Sequence, residues 1–283
     1  MISAKIIEDS VSTEDKRITT LQLTYPRFIH SELMTHRVFS RNSSSSRAIP
    51  VLKMLEMIRN EPAMPIHWGK NQPGMQANEQ LTGADLAHAK NLWLRAATNA
   101  ADVAARMQEL GLHKQVANRI LEPFQHIHVV LTATEFDNWF ELRAHPDAQP
   151  EIQVLAINML NAMDQSIPTL LQSDEWHLPY ITAKEREDIQ DWVLLCKVSA
   201  ARCCRVSYLK HDGTAASIDE DLALCDRLIG SKPLHASPFE HQATPDVMKK
   251  RNQIKPAHWE QKQFHGNLVG WIQHRKLIEY SFS

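Results

Sequence analysis

Residues Thr35 to Arg47 hold the densest chemistry in the chain. They carry three guanidiniums at Arg37, Arg41 and Arg47, one imidazole at His36, and hydroxyls or an amide at Ser40, Asn42 and Ser43 to Ser46. A guanidinium is permanently charged and meets phosphate through two parallel N–H bonds, while hydroxyl and amide groups complete the oxygen coordination. The segment therefore reads as a candidate anion grip. The same composition describes a solvated Ser/Arg loop or flexible linker, and composition alone leaves both readings open. Fifteen histidines invite a metal reading, above all at His126 with His128 and at His235 with His241. Neither pair has a third ligand at a zinc spacing, so no metal site is expected.

The remaining composition narrows what such a grip could belong to. Only eight glycines occur in 283 residues, and neither a G-x-G-x-x-G nor a G-x-x-x-x-G-K-[ST] pattern is present. A nucleotide would thus be held by side chains rather than by a glycine-rich backbone cradle. The 31 Lys+Arg against 33 Asp+Glu argue against a generally basic nucleic-acid-binding protein. No apolar run approaches the roughly 18 residues of a membrane span. The opening residues, Met1 to Asp9, lack a signal-peptide core, so a cytoplasmic location is expected. Cys196, Cys203, Cys204 and Cys225 show no C-x-x-C spacing and read as reduced, mostly structural thiols. A chain of this length can bury roughly three-quarters of its unfolded surface, so its core needs no staple.

The elements that must position the grip follow from periodicity. Lys5 to Ile7 and Arg17 to Tyr25 read as strands, the second ended by Pro26. Phe28 to Phe39 reads as a short helix running into Ser40 to Arg47, a stretch too polar for a core element, closed by Pro50. Residues 60–82 read as irregular. Ala84 to Leu110 is the clearest helix, with Leu86, Trp93, Ala96, Ala100, Val103, Met107 and Leu110 on one face and Gly111 as its stop. Further helices are predicted over His113 to Leu121, Glu135 to Leu142, Glu151 to Met163, Lys184 to Val206 and Ile218 to Leu228. Val129 to Ala133 is either a strand or a helix entry, and a short helix is expected around Leu268 to Ile278. Leu33 to Arg37 and Trp271 to Arg275 echo each other through a shared His-Arg ending, which chance explains as well as duplication does. No linker demands two independent domains.

The grip resembles the signature of the flavin-dependent thymidylate synthases (ThyX), R-H-R-x-x-S-x-N-x-x-S-x-R, with His36, Arg37, Ser40, Asn42, Ser45 and Arg47 in register and Thr35 in place of the first Arg. A second stretch is similar to the family's N-F-x-x-L-R-x-x-x-x-A-Q-x-E-I segment through Asn138, Arg143, Ala148, Gln149, Glu151 and Ile152. Gln115 to Arg119 with Pro123 resembles the E-x-A-R-x-x-L-P stretch, with Gln for Glu and one residue of offset. The three occur in family order over residues 17–153. Two further fragments, Ala201 to Ser207 and the S-P-F-E-H of Ser237 to His241, resemble elements that normally precede the signature but here follow it. The arrangement reads as rearranged or duplicated, with a signature half at about 1–170 and an S-P-F-E-H half at about 171–283 of a single domain.

The resemblance implies an α+β fold, a ThyX-like mixed subunit with a central antiparallel sheet flanked by long helices, assembled as a homotetramer. It implies transfer of a one-carbon unit from methylenetetrahydrofolate to C5 of a deoxypyrimidine monophosphate, most simply dUMP, with FAD as cofactor and NADPH as reductant. His36, Arg37, Ser40, Asn42, Asn138 and His241 would serve the flavin. Ser45, Arg47, Arg119, Arg143 and Gln149 would hold the nucleotide, with Arg143, Arg119 and Ser45 as the catalytic set. Thr35, Gln115 and Ala48, which stands where the family commonly has Tyr, leave two relatives open: one acting on dCMP or delivering hydroxymethyl, and a non-catalytic nucleotide- or nucleic-acid-binding protein. On the residues alone, Arg119 and Arg143 read equally as surface cations paired with Glu122 or Glu141. Trp139 and Phe140 read as core rather than as a stacking platform.

Overall fold

In a computed structural model that describes residues 1–210, 212–250 and 257–281, two long N-terminal strands form the centre of the molecule. These are β1 (Ser3–Ser12) and β2 (Arg17–Pro26). They pair antiparallel from Ser3 opposite Thr24 to Val11 opposite Arg17, with a register irregularity between Ile6 and Glu8. Their turn is closed by the Ser12 hydroxyl, which accepts from the backbone N–H of Glu14 and Lys16. Leu21, Leu23 and Tyr25 alternate onto one face of β2 and are fully buried there, the period-2 pattern of a strand whose face carries a core.

After β2 the chain makes a 3-10 turn and one helical turn, α1 (His30–Leu33), in place of the longer helix predicted to Phe39. The predicted polar loop is a strand in its first part, β3 (Ser40–Ser43). Helices α2 (Val51–Asn60), α3 (Gly83–Glu109) and α4 (Lys114–Ala117) follow, α4 continuing into 3-10 turns over Asn118–Phe124. Then come β4 (His126–Ala133), α5 (Asp137–Arg143), α6 (Pro150–Asp164) and β5 (Thr169–Leu171). The helix predicted over Lys184 to Val206 is two, α7 (Ala183–Asp188) and α8 (Trp192–Arg205). The Asp191 carboxylate accepts from the N–H of Val193 and Leu194 and starts a new helix there. Helix α9 (Ile218–Gly230) begins with a capping box between Ser217 and Glu220. The C-terminal region holds β6 (Ala243–Pro245), β7 (Met248–Lys249), β8 (His258–Trp259), β9 (Trp271–Gln273) and α10 (His274–Ser281). The second His-Arg thus opens a helix, whereas the first follows one, so the two echoes do not share a local structure.

The central sheet has the order β3-β4-β2-β1-β5. Four strands are antiparallel, and β5 adds to β1 in parallel, Ser10 opposite Thr169, making the sheet mixed. A parallel neighbour cannot be reached by a hairpin; here the connection is the whole segment from β2 to α6. One sheet face, with Leu23, Val129 and Leu131, packs on Trp139 of α5 and Ile152, Leu155 and Met159 of α6. The opposite face puts Val130 against Tyr180, Cys203 and Val206 of the C-terminal half. Helices α2 and α3 pack on each other through Met54, Leu55, Ala97, Ala101 and Ala104. No described helix is long and apolar enough to cross a membrane.

Candidate active site

Helix α1 ends at Leu33, and the turn after it presents His36. The Arg41 guanidinium fastens that turn by donating to the carbonyls of Leu33 and His36, the latter at 2.9 Å. The His36 ring lies edge-on to Trp139, centroids 4.8 Å apart, with Phe39 beside it. From the last turn of α5, Arg143 reaches across 107 positions of sequence to donate from Nε to His36 Nε2 at 3.1 Å. With Nε2 accepting, the imidazole carries its proton on Nδ1. Burial, followed by the charges of Arg143 and Arg41, holds its pKa below the usual histidine range, so the ring is neutral.

The Arg143 Nη groups meet Thr35 Oγ1 at 3.5 Å and the Glu32 carboxylate at 3.7 Å. The Thr35 hydroxyl itself donates to the Glu32 carbonyl. This contact gives the Thr35 departure a physical reading: an arginine at that position would set a second guanidinium against Arg143, where threonine offers it an oxygen.

Thr35, His36, Asn138, Trp139 and Arg143 line one cavity of about 490 Å³, a volume within the range of small-molecule sites. Asn138 is exposed in it, whereas Trp139 is buried and its indole N–H has no partner among the described residues. Glu135 and Asp137 also line the cavity. Those two carboxylates oppose a phosphate at this end, while the Arg143 guanidinium and the amide suit the carbonyl edge of a polar ring.

The other expected site residues lie elsewhere. Ser40 and Asn42 point inward from β3: Ser40 exchanges hydrogen bonds with Asn267, and Asn42 donates to the Cys203 carbonyl. Arg37, Ser45 and Arg47 are exposed, and neither the Arg37 nor the Arg47 guanidinium has a partner among the described residues. The Ser45 hydroxyl accepts from the Arg47 N–H. Arg119 pairs with Glu122 at 2.8 Å, a carboxylate that also binds Arg27 and the Ser46 hydroxyl. Against the effect of burial, the Ser46 hydroxyl with Arg27 and Arg119 holds Glu122 below the usual carboxylate pKa. Gln149 caps α6 by accepting from the Ile152 N–H, and its amide meets Glu151.

His241 is fully buried. Its Nδ1 bonds Thr132 Oγ1 at 2.8 Å, its Nε2 has no partner, and burial pushes it down to about 3. The structure therefore gathers His36, Asn138 and Arg143, and leaves Ser45, Arg47, Arg119, Gln149 and His241 outside their cavity. The S-P-F-E turn nevertheless packs beside β3, where Gln273 donates to the Glu240 carbonyl and reaches Ser40 at 3.5 Å. Arg41, read from the sequence as one of three anion-gripping guanidiniums, instead fastens the His36 turn, and Glu32, which meets Arg143, was not singled out by the sequence. Glu32 carried no signal in the sequence.

Residues 12–169, more than half the chain, match the family described as thymidylate synthase complementing protein. The chain belongs to this family. The matched region contains β2, the signature, the helix carrying Arg143 and all the residues that build the cavity. Membership carries the coarse activity, methylation of a nucleotide. Among curated proteins none matches the chain. Among solved structures, the chain is similar to a UMP/dUMP methylase PolB from Streptomyces cacaoi bound with 5-Br dUMP, at 17% identity and a TM-score of 0.46. The match covers 58% of this chain and 90% of that one. The same enzyme bound with 5-Br UMP matches with the same identity and coverage and a TM-score of 0.49.

Proposed function

We propose that this member of the thymidylate synthase complementing family transfers a one-carbon unit from methylenetetrahydrofolate to C5 of dUMP, giving dTMP. FAD is its cofactor and NADPH its reductant, and the working assembly is a homotetramer. The observation that carries the reading is Arg143, held at a cavity wall by a neutral His36 and by Thr35. A guanidinium so placed can meet a pyrimidine carbonyl and stabilise negative charge as it develops on the ring during attack at C6. Its partners fix its direction, so little reorganisation is needed during the reaction.

The phosphate has a separate place in this reading. Arg47 and Ser45, exposed on the turn after β3, offer a permanently charged fork and a hydroxyl to a dianion. Arg119 and Gln149 extend the nucleotide set by exchanging or sharing their present partners. Two features of the Arg143 cavity suit a flavin nucleotide, the Asn138 amide and the buried indole N–H of Trp139, which has no partner among the described residues, and Arg37, outside the lining, is an exposed cation next to His36 in the chain. His36, Arg37 and Asn138 would hold it, with Ser40 and Asn42 supporting the strand behind them and His241 the buried face. When bound, the flavin supplies the hydride. The protein's own part is to orient the ring edge, keep His36 uncharged beside a cation, and fix the nucleotide's position.

The test is product identification by mass spectrometry after incubation with dUMP and, separately, dCMP, each with the folate and reductant. Formation of dTMP from dUMP is expected. An Arg143→Ala variant should lose about 10²–10³-fold in turnover with its melting temperature preserved. Full activity in that variant overturns the role given to Arg143, and a hydroxymethyl or cytosine product reassigns the reaction.

A further inference from the structure

The longest described helix, α3, is attached to the body of the protein along one narrow strip. Ala97, Ala101 and Ala104 are buried against α2, and the Trp93 indole N–H donates to the Ala63 carbonyl at 2.9 Å. Alanine at each buried position lets α2 approach closely. The larger apolar residues of α3 lie on its other side, where Leu92 is 42% exposed, Val103 45% and Leu110 87%.

Apolar residues scattered singly over a surface are ordinary, but these are in order. Leu92, Ala96, Asn99, Val103, Arg106 and Leu110 are all exposed and follow one another at steps of four, three, four, three and four residues. That is the a/d spacing of a helix packed lengthwise against another helix. About five turns of it lie bare on a helix about 40 Å long.

The charges beside the stripe determine what can cover it. His88, Arg95, Asp102 and Glu109 stand seven residues apart, each just before an a position, so all four share one flank. The flank is basic towards the start of the helix and acidic towards its end. His88, Arg95 and Glu109 have no ionic partner among the described residues. Asp102 meets Arg59 of α2 at 3.1 Å through Oδ1, a pair half exposed on both sides that contributes little and leaves Oδ2 open. A parallel second helix would lay this flank against Trp93, Ala100 and Met107, where no charge answers it. An antiparallel copy of α3 instead sets Arg95 against Asp102 and His88 against Glu109, each pair twice. The same arrangement places Val103 opposite Leu92 in two layers, with the small Ala96 beside Asn99 between them. An asparagine within such a seam fixes its register, and two identical sets of contacts are what a two-fold interface requires.

We infer that the outer face of α3 is a docking surface for α3 of a second copy of this chain, antiparallel about a two-fold axis beside Ala97 and Thr98. It names one interface of the assembly proposed above and rests on that part of the reading alone, not on the reaction or its ligands.

The test is sedimentation equilibrium of the full chain and of variants at positions exposed in the single chain. The wild type should form a dimer or a higher even-numbered assembly. Val103→Glu should raise the dissociation constant of this interface a hundredfold or more. Leu94→Glu, on the same helix but off the stripe, should change it less than twofold. Arg95→Glu sets a carboxylate against Asp102 and should weaken association tenfold or more. Adding Asp102→Arg to Arg95→Glu should restore it to within threefold of the wild type. An assembly indifferent to Val103→Glu overturns the inference and leaves the assembly standing, whereas a monomeric wild type overturns both. Equal losses in Leu94→Glu and Val103→Glu overturn the assignment of the stripe, and a double variant no better than Arg95→Glu overturns the antiparallel pairing.

Discussion

The signature segment and the C-terminal half treat their arginines in opposite ways. In the C-terminal half Arg202, Arg205 and Arg275 are each neutralised in place. Arg202 is 1% exposed and bonded to Glu185, Asp221 and the Tyr180 carbonyl, with its charge over the Tyr208 ring at 4.4 Å. Arg205 shares Asp221, and Arg275 is held by Glu240 and Glu279. In the signature segment Arg37 and Arg47 stand in solvent with no acid paired to them among the described residues, and Arg143 meets a carboxylate at 3.7 Å. Buried arginines here join elements, whereas arginines left short of acids are the ones able to take an anion from outside.

Breaking the structural set should have the largest effect. Arg202→Ala leaves Glu185 and Asp221 facing a void, and removing one partner of a buried ion pair costs about 3–5 kcal/mol. The melting temperature should fall by roughly 10 °C; a fall of under 3 °C by calorimetry would show that the cluster does not hold α8 to α7 and α9.

Acid should strike the same half next. Burial holds His177 well below its usual range, His241 at about 3 and His274 at about 4, so all three are neutral in the fold. The unfolded chain binds protons on them near pH 6.5 and the native state does not. Their stabilisation is therefore complete above pH 6.5 and is lost as pH falls towards 4, at up to about 1.4 kcal/mol per unit for each. Glu8 runs the other way: burial raises it to about 7 despite Arg186, so its contribution fades as pH rises through 7. Three imidazoles outweigh one carboxyl, and thermal melts should show lower stability at pH 5 than at 7.5. An unchanged or higher melting temperature at pH 5 would contradict neutral burial of these rings.

The smallest effect sharpens the comparison at its boundary. Arg119 is half exposed and Glu122 keeps Arg27 and Ser46 without it, so Arg119→Ala should shift stability by less than about 0.5 kcal/mol. Turnover should nevertheless fall at least tenfold, placing Arg119 with the anion-binding set. A variant with wild-type kinetics would place it with the structural one.

What the sequence disclosed follows the range of the contacts involved. The alternation of Leu21, Leu23 and Tyr25 and the extent of α3 are local and were read correctly, whereas the buried face of α3 is Ala97, Ala101 and Ala104, and Ala96, Val103 and Leu110 of the predicted face are exposed. Strand β3 was missed because the residues that alternate inward, Ser40 and Asn42, are polar. Their partners, Asn267 and the Cys203 carbonyl, lie 227 and 161 positions away. The meeting of His36 with Arg143 across 107 positions was legible only through the family resemblance. The work of Gln149 as a helix cap and the complete burial of His241 depend on neighbours that no spacing rule supplies.

Strand β3 lies at one edge of the sheet, where Asn267 donates to the Val38 carbonyl and bonds the Ser40 hydroxyl, and Gln273 donates to Asn267 and Ser40. A growing polypeptide emerging from the ribosome would consequently lack the partners of the signature's first strand until Asn267 and Gln273 had been added. Ordering of the signature's first strand therefore waits on side chains 227 and 233 positions further along the chain.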